Sequence, residues 1–582
     1  MKKHFAFISV LFLLTLFVTQ IFPQNGLAVK PATDIKNQPA VKSNAPAVTD
    51  EQIERDVAEA LTVIQDNYVV SDKKLDYNEL FKSSIDSMLH TLDPHSNYFD
   101  AKEFEEFRNE QSSQYFGIGA SIASLTDADG KIIATYIRAT FENAPANRAG
   151  LRYGDKILEV NGTSMLGKSS AEVRTFLIGP RGTTVKVTVE HYGMGKREIV
   201  EIVRDAVSQP SISEVYMLRP GVGYMKMDGG FNQTTYNEFR QGLASLKAQG
   251  MQNLILDLRN NGGGLVNQAL QVANTFLSNG QIIFTQKGRL ESVTQPYAAQ
   301  NANPDRTPIV MIVNRNTASA SEILSGALQD HDRALIVGET TFGKGLVQIP
   351  LPIDYGSMLL LTIAKYQTPS GRLIQRDYSN GDFYSYYYKG GTLADESKPA
   401  APTGAESKTD TGRPVYGGGG ITPDDAVKQQ TISSERANQE GRFAVGPIFA
   451  FSLDLAFGKI PGFENYKVDR PIKYDYDLKP TDFPVTDNLL QAFKKFAVGK
   501  YKFTPAQVDR QKDFIENYLR LELVTAAYGT RTANQIFDPS LGVFRENDLQ
   551  LKSAIADLPR ARQLEADSAK AFAQKSHSET NQ

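Results

Sequence analysis

The sequence contains no cysteine and only six histidines. The lack of cysteine excludes disulfide bonds, thiol nucleophiles and thiolate metal sites. None of the histidines forms an HExxH or similar pair, so we expect no protein-bound metal and no cofactor. Net charge is also small. A formal charge of -3 over 582 residues gives no reason to expect nucleic acid as a partner.

Long apolar runs are equally scarce, and the one that stands out lies at the N-terminus. Two lysines precede the apolar stretch Phe5–Val18, in the pattern of a secretory signal peptide cleaved after Gln24 or near Ala28. We therefore predict a signal peptide over residues 1–28 and a periplasmic or exported protein. An uncleaved segment would instead associate the protein with a membrane. No other stretch is long and apolar enough to span a bilayer.

The chain is long enough for several domains, because 582 residues exceed what a single hydrophobic core organises. Residues 29–48 are rich in Pro, Ala, Asn and Lys, which predicts a flexible linker. The stretch Thr49–Gln52 has the spacing of a capping box and opens a predicted helical region over residues 49–112. From Gly221, strand-like and helix-like segments alternate, which predicts a layered α/β core over residues 208–430.

The stretch from Asn314 to Gln348 carries the strongest indication of chemistry. A continuous apolar run predicts a buried strand over Pro308–Val313, and Ser319 follows in the turn before a helix. A hydroxyl at that place faces the unpaired N–H groups and positive dipole end of the helix, where a developing oxyanion is stabilised. Lys344 follows 25 residues later in Phe-Gly-Lys-Gly, with no second acid or base beside it. A serine nucleophile with a lysine base is an established variant of the catalytic triad.

The same stretch resembles a known family. Its phrases TASASEI and GETTFGKGLVQ are similar to those of the C-terminal processing (tail-specific) serine proteases, and the resemblance covers most of Thr49–Asp424. It implies that Ser319 is the nucleophile, Lys344 its general base and Gln348 the partner of the lysine. Four residues of extended strand span about 13 Å, so Gly345 must bend the chain if Gln348 is to reach Lys344.

The resemblance also implies the architecture. We expect a multidomain α/β protein with an N-terminal helical segment, a PDZ-like β-rich domain, a ClpP/crotonase-like layered protease core and a C-terminal helical extension. The phrase DLRNNGGG matches the family's oxyanion-hole turn, where glycine lets the main chain approach the substrate carbonyl. The backbone N–H of Ala320 is the implied second donor. Of the glycines in the turn, Gly263 and Gly264 are the preferred candidates, although a turn that only needed positive φ is an alternative.

Residues 113–207 resemble a bacterial PDZ domain through the phrases YFGIGASI and APANRAGLRYGDKILEVNGTSM and the strand VKVTVEHY. Such a domain presents backbone N–H groups to a terminal carboxylate while the peptide adds as a strand, so we expect protein or peptide partners with apolar C-termini. Many relatives carry an arginine before the Gly-Pro of this domain, whereas Ile178 stands there in this chain. A contact through that arginine is therefore not expected. The predicted tail-binding residues are Tyr115, Phe116, Gly117, Ile118 and Gly119.

Two further segments flank or interrupt the family phrases. Residues 379–420 are rich in Tyr, then in Gly, Pro, Ser and charge, and predict a mobile insertion that projects from the core without altering the site. Residues 431–582 predict a mostly helical extension. Docking or assembly is its simplest role, with a homo-oligomer or an adaptor as the partner.

Several alternatives compete with the Ser/Lys hypothesis. The stretch Gly338–Lys344 has the spacing of a P-loop, but Gly345 replaces the required Ser or Thr and a strand-like segment follows. Ser319 could be a helix cap, since Glu322 stands at capping-box spacing. His331, between two aspartates, suggests a Ser-His-Asp triad, but about twelve helical residues would separate it from Ser319 by about 18 Å. A catalytically inactive PDZ scaffold is the remaining alternative.

Overall fold

The computed structural model describes residues 49–69, 76–379, 386–387, 404–429, 432–468 and 471–580. The predicted signal peptide and the predicted linker lie outside these residues. The described residues form two compact units that divide between Leu92 and Asp93. In this described part of the chain, no helix is both long and apolar enough to cross a membrane.

The N-terminal unit holds two helices, α1 (Asp50–Asn67) and α2 (Tyr77–His90). Helix α1 begins with the predicted capping box, because the backbone N–H and side chain of Gln52 each bind Thr49. The predicted helical region 49–112 is not one unit, since residues from Asp93 onwards belong to the second unit.

The PDZ-like domain of the second unit is built on an antiparallel sheet with strand order β3-β4-β5-β7-β8, in which β6 pairs with β5. Strand β7 alternates between the core and the surface, because Val185, Val187 and Val189 are all fully buried in the domain core. The elements of this region are β1 (Asn97–Phe99), α3 (Ala101–Gln111), β2 (Gln114–Gly117), β3 (Ala120–Thr126), β4 (Ile132–Thr140), α4 (Pro145–Arg148), β5 (Lys156–Val160), β6 (Thr163–Ser164), α5 (Ser170–Leu177), β7 (Thr184–Glu190), β8 (Arg197–Val203) and β9 (Asp205–Ser208).

The predicted protease core contains a six-stranded sheet with the order β10-β11-β12-β15-β16-β21, parallel from β11 to β21. A second, antiparallel sheet is formed by β1, β13, β14, β17 and β18. The core elements are β10 (Glu214–Arg219), β11 (Val222–Lys226), α6 (Thr235–Ala248), β12 (Asn253–Asp257), α7 (Val266–Phe276), β13 (Ile282–Gly288), β14 (Gln295–Ala298), β15 (Ile309–Val313), α8 (Ala320–Asp330), β16 (Ala334–Gly338), β17 (Leu346–Pro352), β18 (Met358–Gln367), β19 (Glu406–Lys408), β20 (Pro414–Tyr416) and β21 (Asp425–Ala426).

The C-terminal extension is part of the same packed unit. It comprises α9 (Ser434–Phe443), a π-helical turn (Ala444–Ile448), α10 (Phe449–Ala456), α11 (Asp487–Tyr501), α12 (Pro505–Arg510), α13 (Lys512–Ala533), β22 (Phe537–Asp538), β23 (Val543–Phe544), α14 (Leu549–Ala556) and α15 (Leu558–Thr580). Apolar residues of α9–α13 pack in one core with residues of strands β3 and β4 of the PDZ-like domain. The ion pair between Arg138 of β4 and Glu522 of α13 (2.7 Å) also joins the extension to that domain.

The extension also explains why β15 is apolar at every position. Ile309, Met311 and Val313 pack with helices α6–α8 on one face of the sheet, whereas Val310 and Ile312 pack with α14 and α15 on the other. A parallel strand covered on both faces needs no polar alternation. The far layer of this α/β core is thus supplied by the extension.

Buried ion pairs reinforce this attachment. They join Lys226 to Asp538 (2.5 Å), Arg259 to Asp548 (2.8 Å) and Arg545 to Glu214 (2.7 Å). Because a buried charge without its partner is costly, separating the extension from the core sheet would be strongly unfavourable.

The insertion 379–420 behaves differently from the prediction. In its described residues β19 and β20 form a hairpin, Val415 is buried, and Arg413 binds Asp332 and Asp424 of the core. The expectation that the insertion projects from the core is therefore wrong for these residues.

Candidate active site

Ser319 lies where the sequence places it, between the end of β15 and the start of α8. It is partly buried and has a positive φ, with φ 58° and ψ -119°. A non-glycine residue pays for such a conformation, so the surrounding contacts must hold it. The Ser319 carbonyl accepts from Glu322 N–H (2.8 Å), Ile323 N–H (3.0 Å) and Tyr366 Oη (3.2 Å). Ser319 and Glu322 form the capping box that their spacing predicts, so this serine starts the helix and the cap does not exclude a catalytic role for its hydroxyl.

The glycine turn after β12 lies directly against this serine. A Cβ on Gly263 would fall 2.7 Å from Ser319 Cβ and 2.9 Å from Ala320 N, so only glycine fits. Gly263 also has a φ of 94°, and Gly264 a φ of 134°. The Gly263 N–H, however, donates to Asn261 Oδ1 at 2.9 Å. Of the two predicted oxyanion donors, the N–H of Gly263 therefore already has a hydrogen-bond acceptor.

Side-chain amides lock the glycine turn to the serine turn. Asn260 Oδ1 accepts from Asn314 Nδ2 and Asn316 Nδ2, both at 2.8 Å. Asn261 contributes its carbonyl, which accepts from Ala318 N–H (3.0 Å). The extension participates as well, because Asn260 Nδ2 donates to the carbonyl of Ser540 (2.9 Å). Two loops far apart in sequence are thus held as one rigid surface.

Lys344 and Gln348 are brought together as predicted from the resemblance, with Lys344 Nζ 2.9 Å from Gln348 Oε1. The required bend is present. Strand β17 starts only at Leu346, and its register with β18 shifts between Val347 and Gln348. Such a bulge re-aims a side chain that a regular strand would carry away.

The amine of Lys344 has an environment suited to a base. Burial lowers the pKa of Lys344 to about 8, against the opposing influence of the Asp93 and Glu322 carboxylates. Its hydrogen-bond partner Gln348 is neutral and so does not restore the charged form. Gln348 is itself held by a bond from Nε2 to the carbonyl of His95 (2.6 Å).

Glu322 is a functional residue that the sequence reasoning treated only as a capping partner. It is fully buried, and its Oε2 accepts from both Ser319 N–H (2.8 Å) and Lys344 N–H (2.9 Å). Its Oε1 accepts from Thr341 Oγ1 (2.5 Å) and Gly343 N–H (2.7 Å). Burial raises the pKa of Glu322, while these four donors act in the opposite direction. One carboxylate therefore fixes the backbones of both predicted catalytic residues.

His95, to which the sequence analysis assigns no role, lies in the wall of the site. It is buried, and its Nε2 lies 2.8 Å from Tyr386 Oη. Burial, and then the nearby Lys344 charge, lower the pKa of His95 well below its usual value, so it is neutral at pH 7. Asp93 holds the turn by accepting from the N–H groups of His95 and Ser96, each at 2.8 Å. The proximity of His95 to Lys344 is visible only in the structure.

His331 is not near the serine. It follows the last residue of α8, whose eleven residues rise about 16 Å from the Ser319 end. Both ring nitrogens are occupied, Nδ1 by Asp410 Oδ2 and Nε2 by the carbonyl of Ile282, each at 2.7 Å. The geometry therefore removes the Ser-His-Asp alternative.

The predicted tail-binding segment is partly strand. Tyr115, Phe116 and Gly117 belong to β2, which pairs with β9, so only the last two residues of the segment form a turn. Beside that turn, β3 pairs with β4 alone within the described sheet, and α5 lies next to it, with Ser170 N–H bonded to Ser124 Oγ (2.8 Å). The far end of β3 is covered by the C-terminal extension, because the Thr126 carbonyl accepts from Tyr501 Oη (3.2 Å) and Thr126 Oγ1 donates to the carbonyl of Val445 (3.4 Å). Within the described residues, the first part of β3 is left as a strand edge beside α5, which is the arrangement that an added peptide strand requires.

Comparison with known proteins agrees with this architecture. The model of Peptidase family S41 matches residues 221–384, and a PDZ domain model matches residues 137–191. A carboxy-terminal-processing protease of Bartonella bacilliformis is 33% identical over 305 residues, which cover 52% of this chain and 68% of that protein. The carboxy-terminal processing protease CtpB of Bacillus subtilis is 32% identical over 339 residues, covering 57% of this chain and 68% of the relative. A solved photosystem II D1 C-terminal processing protease shares 30% identity with this chain, with a TM-score of 0.31. The match covers 56% of this chain and 90% of the solved chain. The chain therefore belongs to the C-terminal processing serine proteases of peptidase family S41.

Proposed function

We propose that Ser319 and Lys344 carry out peptide hydrolysis as nucleophile and general base. Neutral Lys344 takes the Ser319 proton, and Oγ attacks the carbonyl carbon of the substrate. The resulting ammonium protonates the leaving amine, after which Lys344 deprotonates the water that releases the acyl group. The observation that carries this proposal is the shared Glu322 oxygen, which binds the backbone N–H groups of both residues.

The developing oxyanion would be stabilised by backbone N–H groups. Ala320 supplies one, at the N-terminus of α8, where the helix dipole favours negative charge. The glycine turn supplies the second. Gly264 suits this role better than Gly263, whose N–H already binds Asn261.

Substrate selection is proposed to lie in the PDZ-like domain. The first part of the β3 edge would take the tail as an added strand, and the link between β2 and β3 at Ile118 and Gly119 would receive the terminal carboxylate. Ile122 is only partly buried where it packs against the PDZ core, so it would add apolar surface beside the tail and favour an apolar C-terminus. We further propose an exported protein, on the strength of the N-terminal lysine and apolar pattern alone.

The test of the Ser/Lys pair is hydrolysis of an unfolded protein between pH 6 and 10. Ser319→Ala and Lys344→Ala should both abolish hydrolysis, because residues acting as one unit fail together. Lys365→Ala, which changes an exposed lysine of β18, is the matched control and should be active. For the wild type, kcat/KM should rise about tenfold per pH unit until about pH 8 and then level off. Hydrolysis by Lys344→Ala with the wild-type pH profile would contradict the proposal.

Tail selection is tested with one unfolded substrate that differs only in its last residues. Ending the tail in Asp or Lys, or amidating it, should slow cleavage, since the turn accepts a free carboxylate next to an apolar side chain. Equal rates for all tails would leave a general protease without tail recognition. Fractionation of the producing cells tests export, and an intact N-terminus in the cytoplasm would oppose it.

A further inference from the structure

Two tyrosines of the predicted insertion lie in the wall of the Ser/Lys site. Tyr386 is only 4% exposed, although it belongs to a segment that the sequence predicts to be mobile. Tyr387 is half-buried beside it, with the two ring centroids 5.1 Å apart. Buried aromatic side chains of this size exclude water from whatever they cover. The residues that contact these tyrosines identify the group that they shield from water.

Hydrogen bonds connect these tyrosines to both sides of the lysine. Tyr386 Oη lies 2.8 Å from His95 Nε2, and the carbonyl of His95 holds Gln348. Tyr386 Oη also accepts from Gln375 Nε2 (3.2 Å), and Gln375 Oε1 accepts from Gly345 N–H (2.7 Å). The hydroxyl of Tyr386 is therefore two contacts away from the residue after Lys344 and from the partner of its amine.

Tyr387 contacts the turn that carries His95. Its hydroxyl donates to the carbonyl of Pro94 (2.9 Å), so it braces the turn that carries His95. The residue that precedes the Gly-Lys pair, Phe342, packs edge-on against Tyr386 at a centroid distance of 5.6 Å. Arg376 covers the Phe342 ring, with its guanidinium carbon 4.8 Å from the centroid. The wall is thus continuous from the N-terminal turn to the lysine loop.

Water exclusion is the main influence on this lysine. Burial acts against its charged form more strongly than the neighbouring carboxylates act in favour of it. The titratable and charged groups around the lysine and its wall are Asp93, His95, Glu322, Tyr366, Arg376, Tyr378, Tyr386 and Tyr387.

We propose that Tyr386 and Tyr387 are positioning residues of the Ser319/Lys344 site, which close the wall behind His95 and keep water from the lysine. The insertion would then help to keep Lys344 in the neutral form that acts as a base. This inference rests on the proposed Ser/Lys mechanism. It assigns the tyrosines no contact with the substrate.

The consequence is a specific change in pH dependence. Removing the Tyr386 ring would admit water, stabilise the ammonium form and move the midpoint of the pH profile upwards by about one unit. At pH 7 this would lower kcat/KM about tenfold, because each unit of pKa is a factor of ten in the neutral fraction. At pH 10 the same variant should lie within about threefold of the wild type, since its lysine is then neutral. A residue that merely supports folding would lower activity at every pH alike.

The experiment compares Tyr386→Phe, Tyr386→Leu and Tyr386→Ala in the full-length protein, from pH 6 to 10, with an unfolded protein as substrate. The midpoint should rise in that order, because the three side chains exclude progressively less water. Phe retains the ring and should move the midpoint by less than about 0.3 unit, with a few-fold loss of kcat from the missing hydrogen bond to His95. Tyr387→Leu should move the midpoint in the same direction. Tyr416→Ala, on the β20 strand of the same insertion, is the matched control and should keep the wild-type midpoint.

The possible results distinguish the role of the tyrosines from the Ser/Lys mechanism on which that role depends. Retained hydrolysis in both Ser319→Ala and Lys344→Ala would overturn the proposed mechanism. Inactivity of those two variants, together with an unmoved midpoint in the folded Tyr386 variants, would overturn the inference alone. Should Tyr386→Ala fail to fold, the difference between Tyr386→Phe and Tyr386→Leu decides, and equal midpoints in those two would refute the role.

Discussion

Replacing Lys344 with methionine should make the stability of this protein respond differently to pH. The lysine has a pKa of about 8 in the folded chain instead of 10.5, a difference of 2.5 units. At about 1.36 kcal/mol per unit, this corresponds to about 3 kcal/mol of lost stability. The unfolded chain binds the extra proton between pH 8 and 10.5. The loss is therefore complete below pH 8 and disappears as the pH rises through 10.5.

Methionine is unbranched like lysine and cannot be charged, so the variant lacks this penalty at every pH. It also loses the hydrogen bond to Gln348, and an unsatisfied buried acceptor costs about 1–3 kcal/mol. That second cost does not depend on pH. The informative quantity is therefore the difference in unfolding free energy between variant and parent. It should change by about 3 kcal/mol, in favour of the parent, from pH 7.5 to pH 10.5.

The assay is urea unfolding followed by circular dichroism at several pH values. Both proteins should carry Ser319→Ala, which prevents self-cleavage while leaving the lysine environment intact. Lys365→Met, at an exposed position of β18, is the matched control and should show no comparable pH-dependent difference. A Lys344→Met difference that stays constant from pH 7.5 to 10.5 would refute the argument that burial destabilises the ammonium form.

Three further predictions concern other parts of the chain. Glu322→Gln should lower kcat at least about a hundredfold, because its amide group would face N–H donors that now bind a carboxylate and the serine and lysine loops would separate. His331→Ala should keep kcat/KM within a few-fold and lower unfolding stability by about 1–3 kcal/mol, because it loses the bond to Asp410 and leaves that carboxylate without it. Asp538→Ala should cost about 3–5 kcal/mol in urea unfolding, because it leaves a buried lysine without its closest counter-charge.

Each of these has a clear contrary result. Wild-type kcat in folded Glu322→Gln would show that the carboxylate does not hold the site together. Complete inactivity of folded His331→Ala would return the histidine to the mechanism. Unchanged stability of Asp538→Ala would show that the extension is not attached through its buried ion pairs.

The fold class and the serine-peptidase family could be predicted from the sequence, which also indicated the residues proposed for the chemistry. Local patterns carry such information: β15 is apolar throughout, β7 alternates, and Ser319 and Lys344 stand in phrases with a long, specific resemblance. The need for glycine in the turn after β12 could also be predicted from the sequence, because a positive φ restricts the residue type. These features depend on neighbours in sequence, so they can be interpreted without coordinates.

Only the tertiary structure decided which distant side chains complete the site. Tyr386 is 67 residues beyond Ser319 and His95 is 249 residues before Lys344, yet both belong to the same wall. Glu322 looked like a helix cap because its second role, binding the lysine loop, is set by how β17 returns to α8. The insertion and the extension were misjudged or undetermined for the same reason. Long-range contacts depend on the whole packing arrangement, and polar or low-complexity sequence gives no periodic signal of which surface it will cover.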